Sequence, residues 1–337
     1  MKILFDHSSP FLLAHGGFQV QIEQTKQALE EVGVEVEFLR WWDADQQGDI
    51  IHFFGRAGGA YVDFAHKKNI RVVMSELLTG LGSRSQAEIA VQKIIIDLTR
   101  ACFPAAYWAK MGWDAYSKAD RIIAGTTWES ELMQRVFRAP AERLAVVPIG
   151  VSEEFLANGG PEPHRGKYLV CVATITERKR IVETVLAAIE ARTPLWVIGR
   201  PYSETDPYAQ KFFALANQHS DIIRYEGPIQ DRYQLVRAYR QARGFVLLST
   251  QESFSLAALE AAGCKCPLLL SDLRWARTVF KDTAMYCRIG DINLTAKELR
   301  QFYEAAPSLI RPAKPLSWIE VGRRLKKIYE DVLSTSL

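Results

Sequence analysis

The stretch that most constrains the fold of this 337-residue chain lies between residues 244 and 271. Residues 244–249 form a short apolar run, a mostly polar turn follows, and residues 255–263 are rich in Ala and Leu. Gly263 is the expected end of a helix in this segment, because glycine is a usual C-terminal cap. A second apolar run, residues 266–271, comes directly after this segment. Apolar strands that alternate with helical segments are typical of βαβ units, whose strands are parallel. The sequence therefore predicts an α/β fold built on parallel sheets.

The start of the predicted helix carries the chemistry of this stretch. Free backbone N–H groups at Phe254, Ser255 and Leu256 would bind phosphate, because a helix N-terminus carries partial positive charge and unpaired donors. Glu252 in the turn and Glu260 in the helix would repel a phosphate, so sugar hydroxyls are their expected partners. The alternative is a solvated turn residue and a helix-surface charge, and this segment alone favours neither interpretation.

A second strand-to-helix transition, between residues 168 and 181, carries positive charge. Thr174 follows an apolar strand, and Arg178 and Lys179 stand just before the next predicted helix. Arg offers a fork of donors and Lys a point charge, so the pair predicts an anion site. An exposed basic helix start is the alternative, and it is disfavoured because positive charge there opposes the helix dipole.

The first part of the chain has the same alternation of strand, turn, helix and strand. Residues 2–5 form an apolar strand, Gly16 and Gly17 form a turn, and residues 19–32 have helical periodicity. No G-x-G-x-x-G pattern is present, which argues against a dinucleotide. We expect Gly16 and Gly17 to let the backbone approach a ligand closely, with a plain tight turn as the alternative.

Two further stretches of this part bear on an acceptor. Ser75 and Glu76 follow a predicted strand, and Glu76 is expected to contact an acceptor or to be an ordinary loop carboxylate. Residues 103–116 are rich in aromatic side chains and poor in charge. Core packing is the expected role of this segment, and contact with an acceptor or a membrane surface is the alternative.

Length and composition predict two domains of a globular protein. The chain is 48% hydrophobic and 24% charged, and its net charge is only +3, so neither a nucleic-acid-binding tail nor an acidic arm is expected. A turn-rich linker at residues 158–166 places the boundary between a first domain at 1–157 and a second at 164–316. No nucleic-acid partner is expected.

The sequence also predicts a cytoplasmic protein without a metal site. The first residues turn polar too soon for a signal peptide, and no run approaches the roughly 18 apolar residues of a membrane span. The five cysteines lie mostly in apolar runs, which indicates buried thiols in a reducing compartment. Asp43 and Asp45 have the spacing of a metal motif but are interpreted as loop residues, and the six histidines show no ligand spacing.

Glu252 and Glu260, with seven residues between them and Gly263 and Pro267 after them, resemble the donor-binding signature of glycosyltransferase family 4. That family has the GT-B fold, two Rossmann-like domains that face each other across a cleft. The resemblance implies the same fold here, with a nucleotide-sugar-binding second domain. It also implies that the helix at about residues 317–337 packs back on the acceptor-side first domain. Ser253 and Ser255 stand where the family usually has Gly.

The resemblance assigns donor contacts to the second domain. Glu252 would contact the donor hexose, Glu260 would hold the ribose hydroxyls, and the amides of residues 254–256 would bind the diphosphate. Arg178 and Lys179 would neutralise the leaving diphosphate, with Thr174 beside them on the same loop. The catalytic roles thus fall on Glu252, Arg178 and Lys179.

In the first domain, Gly16 and Gly17 match the Gly-Gly turn that the family directs towards the donor diphosphate and the acceptor. The family often has a His where this chain has Ser75 and Glu76, so a His-based role does not transfer. These two residues are expected on the acceptor side.

The implied activity is metal-independent transfer of a hexosyl group from a UDP- or GDP-linked sugar, with retention of configuration and without a cofactor. The acceptor would be a glycan, a lipid-linked sugar or a small molecule, in polysaccharide or lipid-linked glycan assembly. Peripheral contact with the inner face of a membrane is a further expectation. The alternatives are a non-catalytic nucleotide-binding partner subunit of a glycosyltransferase and a GT-B sugar-nucleotide epimerase.

Overall fold

The computed structural model describes residues 1–8, 10–11, 16–157 and 166–335. The chain divides into two compact units, one of Met1–Gly150 with Trp318–Leu337 and one of Val151–Ser317. Each unit contains one six-stranded sheet in which all strand pairs are parallel. Helices connect the strands, and the predicted class of two Rossmann-like α/β domains is confirmed.

The twelve strands of the described residues are short, and most of them are buried at their centres. In chain order they are β1 (Lys2–His7), β2 (Glu35–Phe38), β3 (Ile50–Phe54), β4 (Arg71–Ser75), β5 (Arg121–Ala124), β6 (Leu144–Val146), β7 (Leu169–Val172), β8 (Leu195–Ile198), β9 (Ile223–Tyr225), β10 (Gly244–Leu247), β11 (Leu268–Ser271) and β12 (Met285–Cys287). Continuous apolar runs such as β3 and β10 are what a sheet covered on both faces requires.

The α-helices of the same residues are mostly amphipathic, and several begin at side-chain caps such as Ser85, Thr126, Asp231 and Ser255. In chain order they are α1 (Gly17–Glu31), α2 (Gly59–Lys67), α3 (Thr79–Gly82), α4 (Gln86–Cys102), α5 (Ala105–Ala109), α6 (Ala115–Lys118), α7 (Thr127–Phe137), α8 (Glu153–Leu156), α9 (Ile181–Glu190), α10 (Pro207–Gln218), α11 (Arg232–Gln241), α12 (Leu256–Gly263), α13 (Arg274–Phe280), α14 (Ile292–Ala305) and α15 (Trp318–Ser334).

Strand order fixes where each sheet can bind a ligand. The first sheet runs β2-β1-β3-β4-β5-β6 and the second runs β12-β11-β10-β7-β8-β9. In the first sheet the chain adds β2 on one side of β1 and then β3 on the other side. In the second sheet it adds β8 and β9 on one side of β7 and then β10 on the other side. Open α/β sheets bind ligands at the carboxyl ends of the strands where the order reverses in this way. The loops after β1 and β3, and those after β7 and β10, occupy these two positions.

The boundary between the units falls earlier than the predicted domain boundary. Residues 151–157, which the sequence assigned to the first domain, belong to the second unit. Val151 pairs with Ser317. Helix α8 packs closely on α12, where a Cβ at Gly263 would lie 3.1 Å from the Phe155 carbonyl oxygen and 3.1 Å from Cδ2 of Leu156. These contacts are local to the second unit. The predicted linker, apart from Gly166, lies outside the described residues.

Helix α15 lies in the first unit and packs against α1. At Gly322 the two helix backbones approach so closely that a Cβ would lie 2.6 Å from the Ala28 carbonyl oxygen. The buried Tyr329 hydroxyl lies 2.6 Å from Nδ1 of His52 on β3, and Nε2 of His52 lies 2.6 Å from Oγ of Ser75 on β4. Burial lowers the pKa of His52 to about 3, so this histidine is neutral and its ring joins two hydroxyl groups.

Residues 103–116 divide between the core and the surface. Tyr116 is fully buried and stacks on Phe137 with a centroid distance of 4.6 Å. Phe103, Tyr107 and Met111 are exposed instead. The expectation of core packing therefore holds at Tyr116 and is wrong for these three side chains, because the helix is interrupted after Cys102 and the short α5 that follows leaves Tyr107 exposed, between the exposed Phe103 before α5 and the exposed Met111 after it.

Candidate functional site

The predicted site of the second unit lies at the carboxyl ends of β7 and β10. These strands are neighbours, with Gly244 opposite Leu169 and Phe245 opposite Val170. The loop after β7 carries Thr174, Arg178 and Lys179, and the loop after β10 carries Glu252. Parallel pairing brings the two loops to the same edge at the point where the strand order reverses.

Arg178, Lys179 and Glu252 form one charge cluster. Nη1 of Arg178 lies 3.2 Å from Oε1 of Glu252, and the Lys179 ammonium donates to the same oxygen. The side chains of Glu252 and Lys179 are only 7% and 14% exposed, whereas that of Arg178 is 43% exposed. Two cations thus share one buried carboxylate, and the cluster carries a net positive charge that can take an anion.

Backbone hydrogen bonds hold the two loops together. The amide of Thr250 donates to the Arg178 carbonyl over 2.9 Å, and Nη1 of Arg178 donates to the Gln251 carbonyl over 2.7 Å. Residues Glu177–Lys179 form a 3-10 turn, and Arg180 takes a left-handed conformation with φ of 53° just before α9. Arg178 and Lys179 therefore lie in a turn before the helix rather than in its first turn. The structure brings the three predicted catalytic residues together.

The start of α12 follows Glu252 along the chain. Oγ of Ser255 accepts a hydrogen bond from the Ala258 amide at 3.2 Å, so this hydroxyl caps the helix. Of the three amides predicted to face a diphosphate, only that of Leu256 lies inside the helix, because Phe254 and Ser255 precede it. Ser253 and Ser255 are buried and Phe254 is half-buried. The predicted helix end at Gly263 is the last helical residue, and Lys265 rather than Gly263 adopts positive φ.

Glu260 lies one turn and a half into α12 and faces α11. Oε2 of Glu260 accepts a hydrogen bond from the buried Tyr239 hydroxyl at 3.1 Å. Burial raises the pKa of Glu260 to about 7, against smaller opposing effects of the Tyr239 hydrogen bond and the charge of Arg232. Near neutral pH this carboxyl can therefore donate a proton as well as accept a hydrogen bond.

In the first unit, Gly16 and Gly17 begin α1. Gly16 is the N-cap residue with φ of 136°, a conformation that favours glycine, and a Cβ there would meet open space. Among the residues that the structure describes, no side chain caps this end of α1. The amides of Gly17 and the following residues are the donors that such a helix start offers to a ligand, and they lie in the loop after β1.

Ser75 and Glu76, predicted on the acceptor side, make separate contacts inside the first unit. Ser75 is buried and its hydroxyl is engaged with His52. Both carboxylate oxygens of Glu76 accept hydrogen bonds at 3.1 Å from Nε of Arg56, and the Tyr116 hydroxyl also donates to Glu76. Burial and the charge of Glu76 raise the pKa of Tyr116, so this phenol stays protonated.

Arg56 and Tyr239 are residues that sequence reasoning missed. The Arg56 guanidinium lies over the rings of Tyr116 and Phe137, 5.4 Å and 4.6 Å from their centroids. Arg56 follows β3 as Glu76 follows the adjacent β4, so the rule that parallel strands share a carboxyl edge could have paired them. Nothing in the sequence marks Tyr239 as the partner of Glu260.

The described part of the chain has neither a candidate metal site nor a candidate membrane span. Within residues 1–8, 10–11, 16–157 and 166–335, no three His, Cys, Asp or Glu side chains cluster so as to hold a metal ion. Asp43 binds Arg40 at 2.8 Å and accepts from the Asp45 amide in a surface turn. Across these same ranges, every helix is too short or too polar to cross a membrane. Four cysteines are buried, and Cys102 is exposed.

Comparison with known proteins finds a family match that lies in the second unit. Residues 166–310 match the family model described as Glycosyl transferases group 1. The D-inositol 3-phosphate glycosyltransferase of Frankia alni is 29% identical over 244 residues, which cover 64% of this chain and 59% of that protein. The GDP-mannose:cellobiosyl-diphosphopolyprenol alpha-mannosyltransferase of Xanthomonas campestris is 30% identical over 159 residues, or 45% of this chain and 40% of that protein. The chain thus matches about three-fifths or less of the length of these curated relatives.

Among solved structures, the sucrose-phosphate synthase of Thermosynechococcus elongatus superposes with a TM-score of 0.68 at 17% identity, covering 99% of this chain and 100% of that one. At this identity the likeness shows the fold, and it confirms the GT-B class that the motifs implied. The family match spans the strand β7, the cluster of Arg178, Lys179 and Glu252, and helix α12. Over residues 166–310 the chain is similar to the group 1 glycosyl transferases, in agreement with the resemblance of its motifs to glycosyltransferase family 4.

Proposed function

We propose that this protein transfers a hexosyl group from a nucleotide-sugar donor to an acceptor hydroxyl, with retention of configuration. The observation that carries the proposal is the sharing of the Glu252 carboxylate by Arg178 and Lys179 at the β7–β10 edge. A diphosphate carries more negative charge than one carboxylate, so it can engage both cations while Glu252 stays bonded to them. The match of residues 166–310 to the model of the group 1 glycosyl transferases supports this use of the site.

In the proposed reaction the bond between the anomeric carbon and the diphosphate oxygen breaks, and a bond between that carbon and the acceptor oxygen forms. Negative charge develops on the departing phosphate, next to Arg178, Lys179 and the N-terminal end of α12. Fixed cations and helix amides stabilise such charge without reorganising during the reaction. The departing phosphate accepts the proton of the acceptor hydroxyl, so the step needs no protein base. Since Arg178 and Lys179 supply the positive charge, we propose that the reaction is independent of metal ions.

Glu260 is proposed to hold the ribose hydroxyls of the donor. It lies in α12, the helix whose N-terminus would bind the diphosphate. Its carboxyl group is hydrogen-bonded to Tyr239. Glu252 is proposed to contact the hexose, with Thr174 beside the diphosphate. Gly16 and Gly17 would add backbone amides from the first unit, and Glu76 would act on the acceptor side. The base of the nucleotide, uracil or guanine, is left to the experiment below.

Glycan or lipid-linked glycan assembly is the proposed setting. One relative acts, by its name, on a polyprenol-linked cellobiose and another on inositol 3-phosphate, so carbohydrate and small-molecule acceptors both occur among the relatives. A non-catalytic nucleotide-binding partner subunit and a sugar-nucleotide epimerase are the alternatives. The first would bind a donor without consuming it, and the second would release an epimerised nucleotide sugar without an acceptor.

Peripheral contact with a membrane at the cytoplasmic face is a further part of the proposal. Helix α4 exposes Val91, Ile94, Ile95 and Leu98, each more than half exposed, at the spacing of one helix face. Phe103 and Tyr107 extend this apolar face, and aromatic side chains favour the boundary between lipid and water. Flotation of wild type and Ile94→Ser/Leu98→Ser with vesicles of phosphatidylglycerol and phosphatidylethanolamine tests it. Equal recovery of both proteins in the vesicle fraction contradicts the proposal.

The main experiment measures thermal unfolding with a panel of UDP- and GDP-sugars and the free nucleotides, with EDTA present. A ligand at about 100 times its dissociation constant adds about 2.7 kcal/mol of stability, which is a clear shift. We expect either the uridine or the guanosine nucleotides to stabilise the wild type. The same nucleotides should stabilise the Lys211→Met control, in which an exposed lysine of α10 is replaced. We expect Lys179→Met to lose most of that shift.

Incubation with acceptors then tests transfer, and NMR of the product gives its anomeric configuration. Stabilisation only when a divalent cation is added contradicts metal independence, and absence of any shift contradicts the donor site.

A further inference from the structure

We propose that an aromatic pocket in the first unit binds a pyranose ring of the acceptor. This inference rests on the proposed function, since it names the part of the acceptor that the first unit holds. The pocket has a volume of about 410 Å³ and lies at the carboxyl ends of β1 and β2. Its lining includes Asp6, His7, Ser8, Phe11, Phe38 and Trp41. Such a volume is within the range of small-molecule sites.

The walls of the pocket are aromatic faces. The rings of His7 and Phe11 stack in parallel at a centroid distance of 4.5 Å, and Phe38 meets both edge-on at 6.2 Å and 6.0 Å. These three rings form one rigid wall. Trp41 adds an indole that is 77% exposed, although a side chain of this size is usually covered. An exposed indole beside a cavity is the surface that a sugar ring can cover.

A buried carboxylate fixes this indole in place. Asp6 is 4% exposed, and its Oδ1 accepts from Nε1 of Trp41 at 3.2 Å and from the amide of His7 at 2.8 Å. Its Oδ2 accepts from the Tyr61 hydroxyl at 2.7 Å. Burial and the bond to Asp6 raise the pKa of Tyr61, so this hydroxyl remains a donor. The side chain of Trp41 is therefore held at its polar end, while its ring face remains at the surface.

This combination favours a pyranose over other occupants. The C–H face of a sugar ring is weakly positive and complements the negative face of an aromatic ring. A sugar also presents hydroxyls, which suit a pocket that has the Ser8 hydroxyl among its lining groups. An alkyl chain would gain nothing from this polar group. The donor is proposed to bind the second unit, so a sugar held here belongs to the acceptor.

Trp42 provides a matched control. It is 84% exposed, adjacent to Trp41 in sequence, and not among the residues that line the pocket. Trp41→Ala removes the ring face, whereas Trp41→Phe keeps a ring without the bond to Asp6. Phe38→Leu removes an aromatic wall and keeps apolar volume, so it serves if Trp41→Ala does not fold. Thermal unfolding of each variant establishes that it is folded.

The test is saturation-transfer NMR of the whole protein with methyl α-D-glucopyranoside, methyl α-D-mannopyranoside and cellobiose, up to about 10 mM, and with 1-octanol as an apolar probe. We expect wild type and Trp42→Ala to bind at least one pyranoside. We expect Trp41→Ala to weaken this binding by about fivefold or more, and Trp41→Phe to retain part of it. Equal binding by Trp41→Ala and wild type, binding of 1-octanol alone, or no binding of any probe would each overturn the inference.

The nucleotide shift of the same variants separates this inference from the proposed function. Trp41→Ala should show the same stabilisation by the donor nucleotide as wild type, because the pocket and the cluster around Glu252 lie in different units. Sugar binding without any nucleotide shift contradicts the proposed function and leaves the pocket. A nucleotide shift without sugar binding contradicts the proposed pocket and leaves the proposed function.

Discussion

The hydroxyl of Tyr239 donates a hydrogen bond of 3.1 Å to Oε2 of Glu260, which joins α11 to α12 in the interior of the second unit. Glu260 is the proposed ribose contact, so the same carboxyl group takes part in packing and in donor binding. Burial raises its pKa to about 7, which makes its protonation sensitive to pH near neutrality. This gives the site a measurable signature.

Glu260 should make stability fall as pH rises. Its pKa is about 7 in the folded chain and near 4.5 in the unfolded chain, so the folded chain binds more protons between these values. Stability is thus highest below the unfolded pKa and is lost as pH rises through 7, by about 3 kcal/mol in all. Urea unfolding of wild type and Glu260→Gln at about pH 5 and about pH 8 checks this. The free energy of unfolding of Glu260→Gln, relative to that of wild type, should be higher at the higher pH than at the lower pH. Glu190→Gln, at an exposed glutamate of α9, should show no such change.

Lys179 should be coupled to Glu252 more strongly than Arg178 is. Both cations contact Oε1 of Glu252, but the Lys179 side chain is 14% exposed and that of Arg178 is 43% exposed. A double-mutant cycle of Lys179→Met with Glu252→Gln should give a coupling of about 1–2 kcal/mol in the free energy of unfolding. The cycle with Arg178→Met should give less than about 1 kcal/mol, because solvent screens an exposed pair. The opposite ranking would show that Arg178 holds the carboxylate.

Tyr329→Phe should destabilise the first unit. The change leaves Nδ1 of the buried His52 without the hydroxyl that now lies 2.6 Å away, and we expect a cost of about 1–3 kcal/mol. Chemical denaturation of the variant measures this cost. Tyr233→Phe, at a tyrosine that is 70% exposed, removes a hydroxyl from the surface and should change stability little. Equal effects of the two changes would contradict a structural role for the hydroxyl.

Gly322→Ala should also destabilise the chain. A Cβ at Gly322 would lie 2.6 Å from the Ala28 carbonyl oxygen, so α1 and α15 would have to move apart. Overpacking of this kind costs about 1–3 kcal/mol. Gly80→Ala is the control, because a Cβ at this exposed position of α3 would meet nothing within 4 Å. The midpoint of thermal unfolding of both variants decides the matter, and a stable Gly322→Ala protein would contradict the close packing.

The parts of the fold that depend on local pattern could be predicted from the sequence. The strand, polar turn and helix around Glu252 appear as β10, a loop and α12, since apolar strands and a Ser cap are local signals. The pairing of β7 with β10 also follows from the fold class. In a doubly wound sheet the first strands of the two βαβ halves are neighbours, so the loops that follow them lie side by side. Arg178, Lys179 and Glu252 therefore come into contact as their motifs suggested.

Features that depend on distant contacts could not be predicted. Gly263 is a glycine because the chain at Phe155 and Leu156 packs against it, although its position suggested a helix cap. Ser75 was expected near an acceptor, and its hydroxyl is engaged with His52 on the adjacent strand. Periodicity predicts an amphipathic α4, but it does not say which of its apolar residues the core will cover. In each case the deciding neighbour comes from a remote part of the chain.

The last helix lies in the first unit, and this has a consequence for the order of events during synthesis. Residues 1–150 leave the ribosome early, but α15, which supplies Tyr329 to His52 and Gly322 to the surface of α1, follows the whole second unit. The second unit is contiguous and can fold as it emerges. The first must wait with the face of α1 uncovered until residues 318–334 arrive. Translation thus completes the two units in the reverse of their order along the chain.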